Sequence, residues 1–256
     1  MKKSFLKTYI IGFIGILTCY MLLNNVSGLS TKACYAITVI LYLAVVLPNI
    51  VHQYKIPKIL NDDCDPHKYL EELKKIENYK NSTVYKNYYA LNYSAGLIYK
   101  GEHSEALHRM KDVDVSTLLL SKQKSIYYSN LLSIFFSDNI SDREKEQCNK
   151  LYSTKTSTEF FASNEYNLML DELMSSDTSD EALNLLIEKA STIFSTNKNK
   201  LPMINKVLLK HTMGIIYFEL GDMENAKKNF NYTIKNGNKL YIVELSRQYL
   251  ERINAL

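Results

Sequence analysis

The sequence predicts an all-α protein, in which a two-helix transmembrane hairpin is followed by a domain of antiparallel helix pairs. Three observations lead to this prediction. Two long apolar stretches lie within residues 1–51. Beyond residue 52, apolar residues recur with helical spacing, and no run alternates with the period of two that a half-buried strand requires. The links between the predicted helices are mostly one to six residues long, and such short links favour antiparallel neighbours.

The two apolar stretches have the length of membrane spans. The first covers residues 5–23 with Lys7 as its only charge, and the second covers residues 33–51 with no charge. Nineteen residues of helix extend about 28 Å, close to the roughly 30 Å of a hydrocarbon core. Each central Leu, Ile, Phe or Val favours insertion by roughly 0.3–0.6 kcal/mol. We therefore expect two transmembrane helices, joined by the short loop 24–32, within a hairpin over 1–52.

Lysines lie just outside both ends of this predicted hairpin. Lys2 and Lys3 precede the first span, and Lys55 and Lys58 follow the second. Because basic residues concentrate on the cytoplasmic side of spans, both termini are expected in the cytoplasm of a two-span cell-membrane protein. The alternative is a signal peptide cleaved after Gly28, in which case the second stretch would still anchor the chain.

The charge of the chain is distributed unevenly. All four basic residues of segment 1–51 lie in a stretch without acids, and the other 27 of the 31 basic residues balance the 27 acidic ones. The formal net charge of +4 therefore belongs to the membrane region. A neutral domain without a basic stripe is unsuited to nucleic acid, so no nucleic-acid partner is expected.

The chain carries no catalytic signature. No G-x-S-x-G, P-loop, G-x-G-x-x-G or Cys–His arrangement is present in the sequence. The four cysteines are Cys19, Cys34, Cys64 and Cys148. Their spacing makes neither a zinc motif nor a dense disulfide framework. We predict a protein that is not an enzyme and holds no cofactor.

A linker over 53–65 is expected to lead into a helical domain over 66–256. Asp65 followed by Pro66 is typical of a helix start, because Asp caps free N–H groups and Pro fits the first helical position. Gly237 marks a helix end and restart. The predicted helices cover residues 66–78, 82–100, 102–111, 116–137, 141–152, 158–174, 179–195, 203–220, 222–236 and 239–254.

One segment of this domain has a repeat pattern, namely residues 208–237. Its small, aromatic, turn, small and aromatic positions are Gly214, Tyr217, Gly221, Ala226 and Phe230. We expect Gly214 and Ala226 where two helices approach closely, Gly221 at the turn, and the two rings between helix pairs. In this order and spacing the segment resembles a tetratricopeptide repeat. The resemblance implies an α-solenoid of stacked helix pairs, in which arrays usually bind protein segments on the concave face.

Weaker echoes of the repeat lie earlier and later in the chain. The string GLIY at 96–99 matches GIIY at 214–217, and Gly101 precedes Ala106 by the interval that separates Gly221 from Ala226. These two cues disagree by two residues. Ala182 is a candidate for a third small packing position, and residues 239–254 are expected to form a capping helix. The alternative is an irregular helical bundle with one chance match.

The string Asp62-Asp63-Cys64-Asp65-Pro66-His67 is the most site-like part of the sequence. Three carboxylates, a thiol and an imidazole are metal ligands by chemistry. Consecutive residues point in divergent directions, however, and no second ligand set is present. The structural alternative, acids that cap a helix and favour its dipole, is sufficient to explain the string. No metal is therefore predicted.

A groove surface is the favoured binding site. In the segment 208–237, the concave positions implied by the resemblance are His211, Ile215 and Phe218. The alternative is that these side chains pack against the C-terminal helix. We predict a membrane-tethered adaptor that binds a protein or peptide, such as another membrane protein, beside the lipid bilayer. The alternatives are an accessory, immunity or regulatory subunit of a membrane transport system, and a metal-dependent membrane-associated enzyme using residues 62–67.

Overall fold

The computed structural model describes most of the chain beyond residue 54 and little of what precedes it. The described residues are Met21, Ile40 and the ranges 55–77, 83–118, 121–137, 139–153, 179–197 and 201–255. Within these ranges every regular element is a helix and no strand occurs. The prediction of an all-α protein is confirmed for them. The chain divides into two compact units, Met1–Ile56 and Pro57–Leu256.

The first unit contains the predicted transmembrane hairpin. Apart from Met21 and Ile40, both predicted spans lie outside the described residues. These two residues are helical, and their side chains are 57% and 64% exposed. Within the described part of the chain, no helix combines the length and apolar character that a bilayer crossing needs.

From Pro66 onwards, the second unit contains nine α-helices within the described residues. Their bounds are α1 Pro66–Lys74, α2 Thr83–Lys100, α3 His103–Lys111, α4 Ser121–Phe135, α5 Asp142–Tyr152, α6 Asp180–Asn197, α7 Met203–Glu219, α8 Met223–Asn236 and α9 Tyr241–Ala255. A short 3₁₀ helix, Val115–Thr117, precedes α4. Most bounds lie within a few residues of the sequence-based ones. The predicted helix over 158–174 lies outside the described residues.

The start of α1 follows the predicted chemistry, whereas the segment before it differs from the prediction. The Asp65 carboxylate accepts a hydrogen bond from the Lys68 amide at 3.0 Å, and Pro66 begins the helix. The sequence predicts a linker over 53–65, but residues 55–61 are helical. Ile59 and Leu60 are buried there, on the apolar face of this helical segment.

Successive helices pack as stacked antiparallel pairs. In the first half, α2 contacts α3, α4 contacts α5, and α2 also contacts α4. In the second half, α7 contacts α8, α8 contacts α9, and α7 also contacts α9. The first helix of one pair therefore lies beside the first helix of the next. In such an arrangement each pair leaves an apolar face that its neighbour covers.

The buried apolar side chains follow this stacking. One cluster is shared by α1 to α5, and it includes Leu91, Leu107, Met110 and Leu132. A second cluster joins α6 to α7, and a third joins α8 and α9 to the rim of α7. The second cluster includes Ala190, which is fully buried, whereas Ala182 is only half-buried. The small packing position of α6 is therefore Ala190.

The closest approach of α7 and α8 gives a stability prediction. A Cβ atom at Gly214 would lie 2.7 Å from Cε1 of Phe230, a side chain with no solvent exposure. Gly214→Ala is expected to lower the free energy of unfolding by about 1–3 kcal/mol, because the ring has no space to move. At an open helical position the same change would raise stability by up to about 1 kcal/mol. Chemical denaturation followed by circular dichroism measures the difference.

A second background makes the test specific. Phe230→Leu shortens the side chain that faces Gly214, so Gly214→Ala should cost less in that background than in the wild type. If Gly214→Ala stabilised the protein equally in both backgrounds, the close approach of α7 and α8 would be disproved.

Candidate functional site

The two helical hairpins α2–α3 and α7–α8 turn in the same way. Gly101 and Gly221 both have positive φ, +92° and +76°, a conformation that L side chains rarely adopt. The amide of each glycine donates to the carbonyl three residues earlier, at 3.0 and 3.1 Å. The prediction that Gly221 forms the turn is confirmed. Since the turns match, Gly101 corresponds to Gly221.

This correspondence shows which small residues are equivalent. Ser94 lies seven residues before its turn glycine, as Gly214 does. Ser94 is fully buried, and its hydroxyl donates to the Ala106 carbonyl at 3.3 Å. The two small residues therefore allow the same close approach of their hairpin helices. Ala106 and Ala226, which correspond by the same alignment, are both fully buried.

The echo between GLIY at 96–99 and GIIY at 214–217 has a different origin. A Cβ at Gly96 would lie 2.6 Å from Cδ2 of Leu70 in the preceding helix α1. Gly214 instead faces Phe230 in the following helix α8. The two glycines therefore serve different helix contacts, which explains why the two sequence cues disagree by two residues.

His211 lies in the seam between α7, α8 and α9. It is 7% exposed, and its Nδ1 lies 2.9 Å from the Ser246 hydroxyl of α9. Its ring lies 5.9 Å from Phe230 and 6.5 Å from Tyr249, measured between centroids. Burial lowers the pKa of His211 to about 4. The imidazole is therefore neutral near pH 7 and has a structural partner.

Ile215 and Phe218 border the same seam. Both are half-buried and pack against the cluster that contains Ile253 of α9. The Phe218 ring meets Tyr249 edge-on at 5.3 Å, and Tyr249 stacks on Phe230 at 4.9 Å. All three predicted groove residues thus contact or border the C-terminal helix, which was the alternative reading. Partner binding by them stays a prediction, and Ile215 and Phe218 keep some accessible surface.

Ser246 and Tyr249 complete this seam, although no motif identifies them. Tyr249 lies on the apolar stripe of α9, which the helical spacing of that segment predicts. The contact between Ser246 and His211 has no such signal, because a fully buried serine on an amphipathic helix looks like a surface residue in the sequence.

The candidate metal string over residues 62–67 does not form a compact ligand set. The Asp65 carboxylate caps α1 and lies 2.7 Å from Nζ of Lys239. Burial would raise the pKa of Asp65, but hydrogen bonds from Lys239 and the Lys68 amide and the Lys239 charge hold it below its ordinary value. In the described part of the chain, no three His, Cys, Asp or Glu side chains come together as a metal site would require.

The two described cysteines are buried thiols. Burial, with the charges of Asp62 and Asp63, raises the pKa of Cys64 to about 11. Burial, with the charge of Glu144 as a further cause, raises the pKa of Cys148 to about 12. Because the thiolate is the nucleophilic form, neither side chain is activated for covalent chemistry in this environment.

Comparisons of the chain with protein-family models, with curated proteins and with solved structures find no match.

The buried His211 gives a prediction for stability against pH. The ordinary pKa of histidine is 6.5, so the unfolded chain takes up a proton below that pH, while the folded protein resists until about pH 4. Proton uptake therefore favours unfolding, and stability falls as pH drops from 6.5 towards 4. For a shift of this size the loss is about 3 kcal/mol. Denaturation curves across this range measure it.

A matched pair of variants isolates this effect. His211→Gln removes one titrating group and should reduce the loss of stability between pH 6.5 and 4 by about 3 kcal/mol, while His103, whose pKa burial also lowers to about 4, keeps its own contribution to the slope. His108→Gln, at an exposed position of α3, is the control and should keep the wild-type slope. Equal slopes for His211→Gln and the wild type would contradict the assignment.

Proposed function

We propose that the protein is a membrane-tethered helical-repeat adaptor, in which an N-terminal transmembrane hairpin holds a tetratricopeptide-like array at the cytoplasmic face. The apolar stretches 5–23 and 33–51 support the tether. The stacked pairs of the second unit support the array, because α2 with α4, and α7 with α9, lie side by side as the first helices of successive repeats do.

The packing of the α7–α8 hairpin is the single observation that carries the repeat assignment. Gly214 meets the Phe230 ring, Gly221 turns the chain with positive φ, and Ala226 is fully buried. Tyr217 borders the clusters on both sides of α7. These contacts are of the kinds expected at the small, turn and aromatic positions of the sequence pattern, and they support the repeat assignment.

The polar side chains of the array support a binding role over catalysis. His211 is neutral and bonded to Ser246, and Asp65 and Asp222 cap helix starts. These titratable groups are committed to structural contacts. Stacked helical arrays in general expose extended surfaces suited to protein segments, and anchoring raises their local concentration near other membrane proteins.

We place the partner surface on the accessible edge of α7, at Ile215 and Phe218. Both side chains are half-buried beside Tyr249. An apolar peptide side chain could extend the ring contact between Phe218 and Tyr249. His211, which is buried beneath this edge, would support the surface from within.

The tether is tested with the full chain in membranes. Because two long apolar stretches, with Lys7 as their only charge, favour lipid over water, we expect the protein to stay in the pellet after alkaline carbonate extraction. A variant with Ile40→Lys and Val45→Lys, which places two charges within the second stretch, should be partly released. Complete release of the wild-type protein by carbonate would remove the tether from the proposal.

The partner surface is tested by cross-linking in native membranes. The full-length protein should capture a defined partner, and Ile215→Ser with Phe218→Ser should lower this capture at least about tenfold, since central apolar anchors dominate binding energy. Glu219→Gln, an exposed neighbour on α7, is the control. Unfolding curves must show that the double variant is folded. Undiminished capture by the folded double variant would exclude this surface.

A further inference from the structure

The C-terminal hairpin is joined to the start of the second unit by polar contacts across a large sequence separation. The Asn238 side chain donates to the Asp63 carbonyl at 2.7 Å, and the Lys239 amide donates to the Cys64 carbonyl at 3.3 Å. Lys239 Nζ also donates to the Asp65 carboxylate at 2.7 Å. We call these contacts between residues 63–65 and 238–239 the clasp.

An apolar contact adjoins the clasp. The Tyr241 side chain lies against Gly101, where an added Cβ would be 3.0 Å from the Cβ of Tyr241. The same Tyr241 ring meets His103 edge-on at 4.8 Å. Helices α9 and α2 are in contact here. The last hairpin therefore closes against the α2–α3 turn, far from it in sequence.

This junction contains features that oppose its closure. Cys64 and Asn238 have φ of 52° and 48°, and they are the non-glycine residues with positive φ in the described chain. Such values are unfavourable for side chains other than Gly, least so for Asn. His103 is 1% exposed, and neither ring nitrogen makes a hydrogen bond of ordinary geometry with any described residue. Burying an unpaired polar group costs free energy.

The polar contacts of the clasp are individually weak. Lys239 is 56% exposed in its ion pair with the nearly buried Asp65, and exposed pairs contribute little. By contrast, α8 and α9 share the apolar cluster around Phe230 and Ile253. The polar contacts of the clasp therefore cost less to break than the apolar packing of α8 against α9.

We propose that the clasp is a built-in release point, at which the helical array switches between a closed state and a state with the C-terminal hairpin detached from residues 63–65. Opening would release the unfavourable positive φ of Cys64 and Asn238. It would also expose the His103 imidazole and the Tyr241 ring to water. The proposal concerns the second unit alone and does not depend on the partner surface proposed for α7.

Cys64 is a natural reporter of the open state. Its side chain has no solvent exposure, it lies within the clasp, and it is close enough to Tyr232 of α8 to contribute to the raised pKa of that residue, which burial mainly causes. Cys148 of α5 is equally buried but lies outside the clasp. The ratio of their alkylation rates therefore separates clasp opening from global unfolding.

The experiment measures alkylation of Cys64 and Cys148 by iodoacetamide in the detergent-solubilised full-length protein, with peptide mass spectrometry. Asn238→Gly with Lys239→Met removes both side-chain contacts and tolerates the positive φ. We expect Cys64 to react about tenfold faster, because each lost hydrogen bond shifts the opening equilibrium severalfold, while Cys148 stays unchanged. Losing a positive charge would not itself speed the reaction, since thiolates are favoured by cations.

Two further variants complete the test. Lys228→Met removes the local pair with Glu224 in α8 and should leave both rates at wild-type values. Asp65→Asn retains a capping side chain but loses its charge, and it breaks the clasp from the side of residues 63–65. Because losing a carboxylate also favours the neighbouring thiolate, the Cys64 rate of this variant is divided by its rate in the denatured chain, and this ratio should rise above the wild-type ratio. An unchanged Cys64 rate in both clasp variants, or an equal rise of Cys64 and Cys148, would overturn the proposal.

Discussion

The second unit depends on one constraint: a helix pair cannot cover its own apolar surface. At the α7–α8 hairpin, Gly214 lets the helices approach until the Phe230 ring lies against the α7 backbone. This contact buries one side of the ring only. The other side is covered by Tyr249 of α9, which stacks on it at 4.9 Å. The hairpin is therefore complete only when the next helix is in place.

The same constraint explains why the predicted groove residues lie at a seam. A residue such as His211, on the face of α7 next to the following pair, is covered when α9 packs there. The apolar surface of α7 at this position is covered by the neighbouring helix. The clasp has a similar effect over a longer distance along the chain. The last hairpin contacts residues near the start of the second unit, so the last hairpin leaves less of its own surface uncovered.

Local signals in the sequence predicted much of the fold. The Asp65 cap, the Gly221 turn and the close packing of Ala226 depend on residues within a few positions, so their chemistry is visible in the sequence. The helical state of residues 55–61 was missed because the segment is short and lies beside charged residues. The register of the α2–α3 hairpin was ambiguous because a serine, Ser94, takes the position that glycine has in α7–α8.

Contacts over long distances along the chain had no such signal. The string 62–67 looked like a ligand set because its partners, Asn238 and Lys239, lie more than 170 residues away. The burial of His103 has no local signal either, since nothing in the sequence shows that Tyr241 covers it. The three candidate residues lie on one side of α7, and the side chains that cover that side, Ser246 and Tyr249, come from another helix.

The dependence of each pair on its neighbour is tested most directly by removing the last helix. In a chain that ends at Leu240, the account predicts that amides of α7 and α8 lose most of their protection against hydrogen exchange, while those of α2 and α4 keep theirs. Phe230 would then be exposed on the side that Tyr249 covers. If α7 and α8 kept wild-type protection without α9, the hairpin would be stable alone and the stacking account would be contradicted.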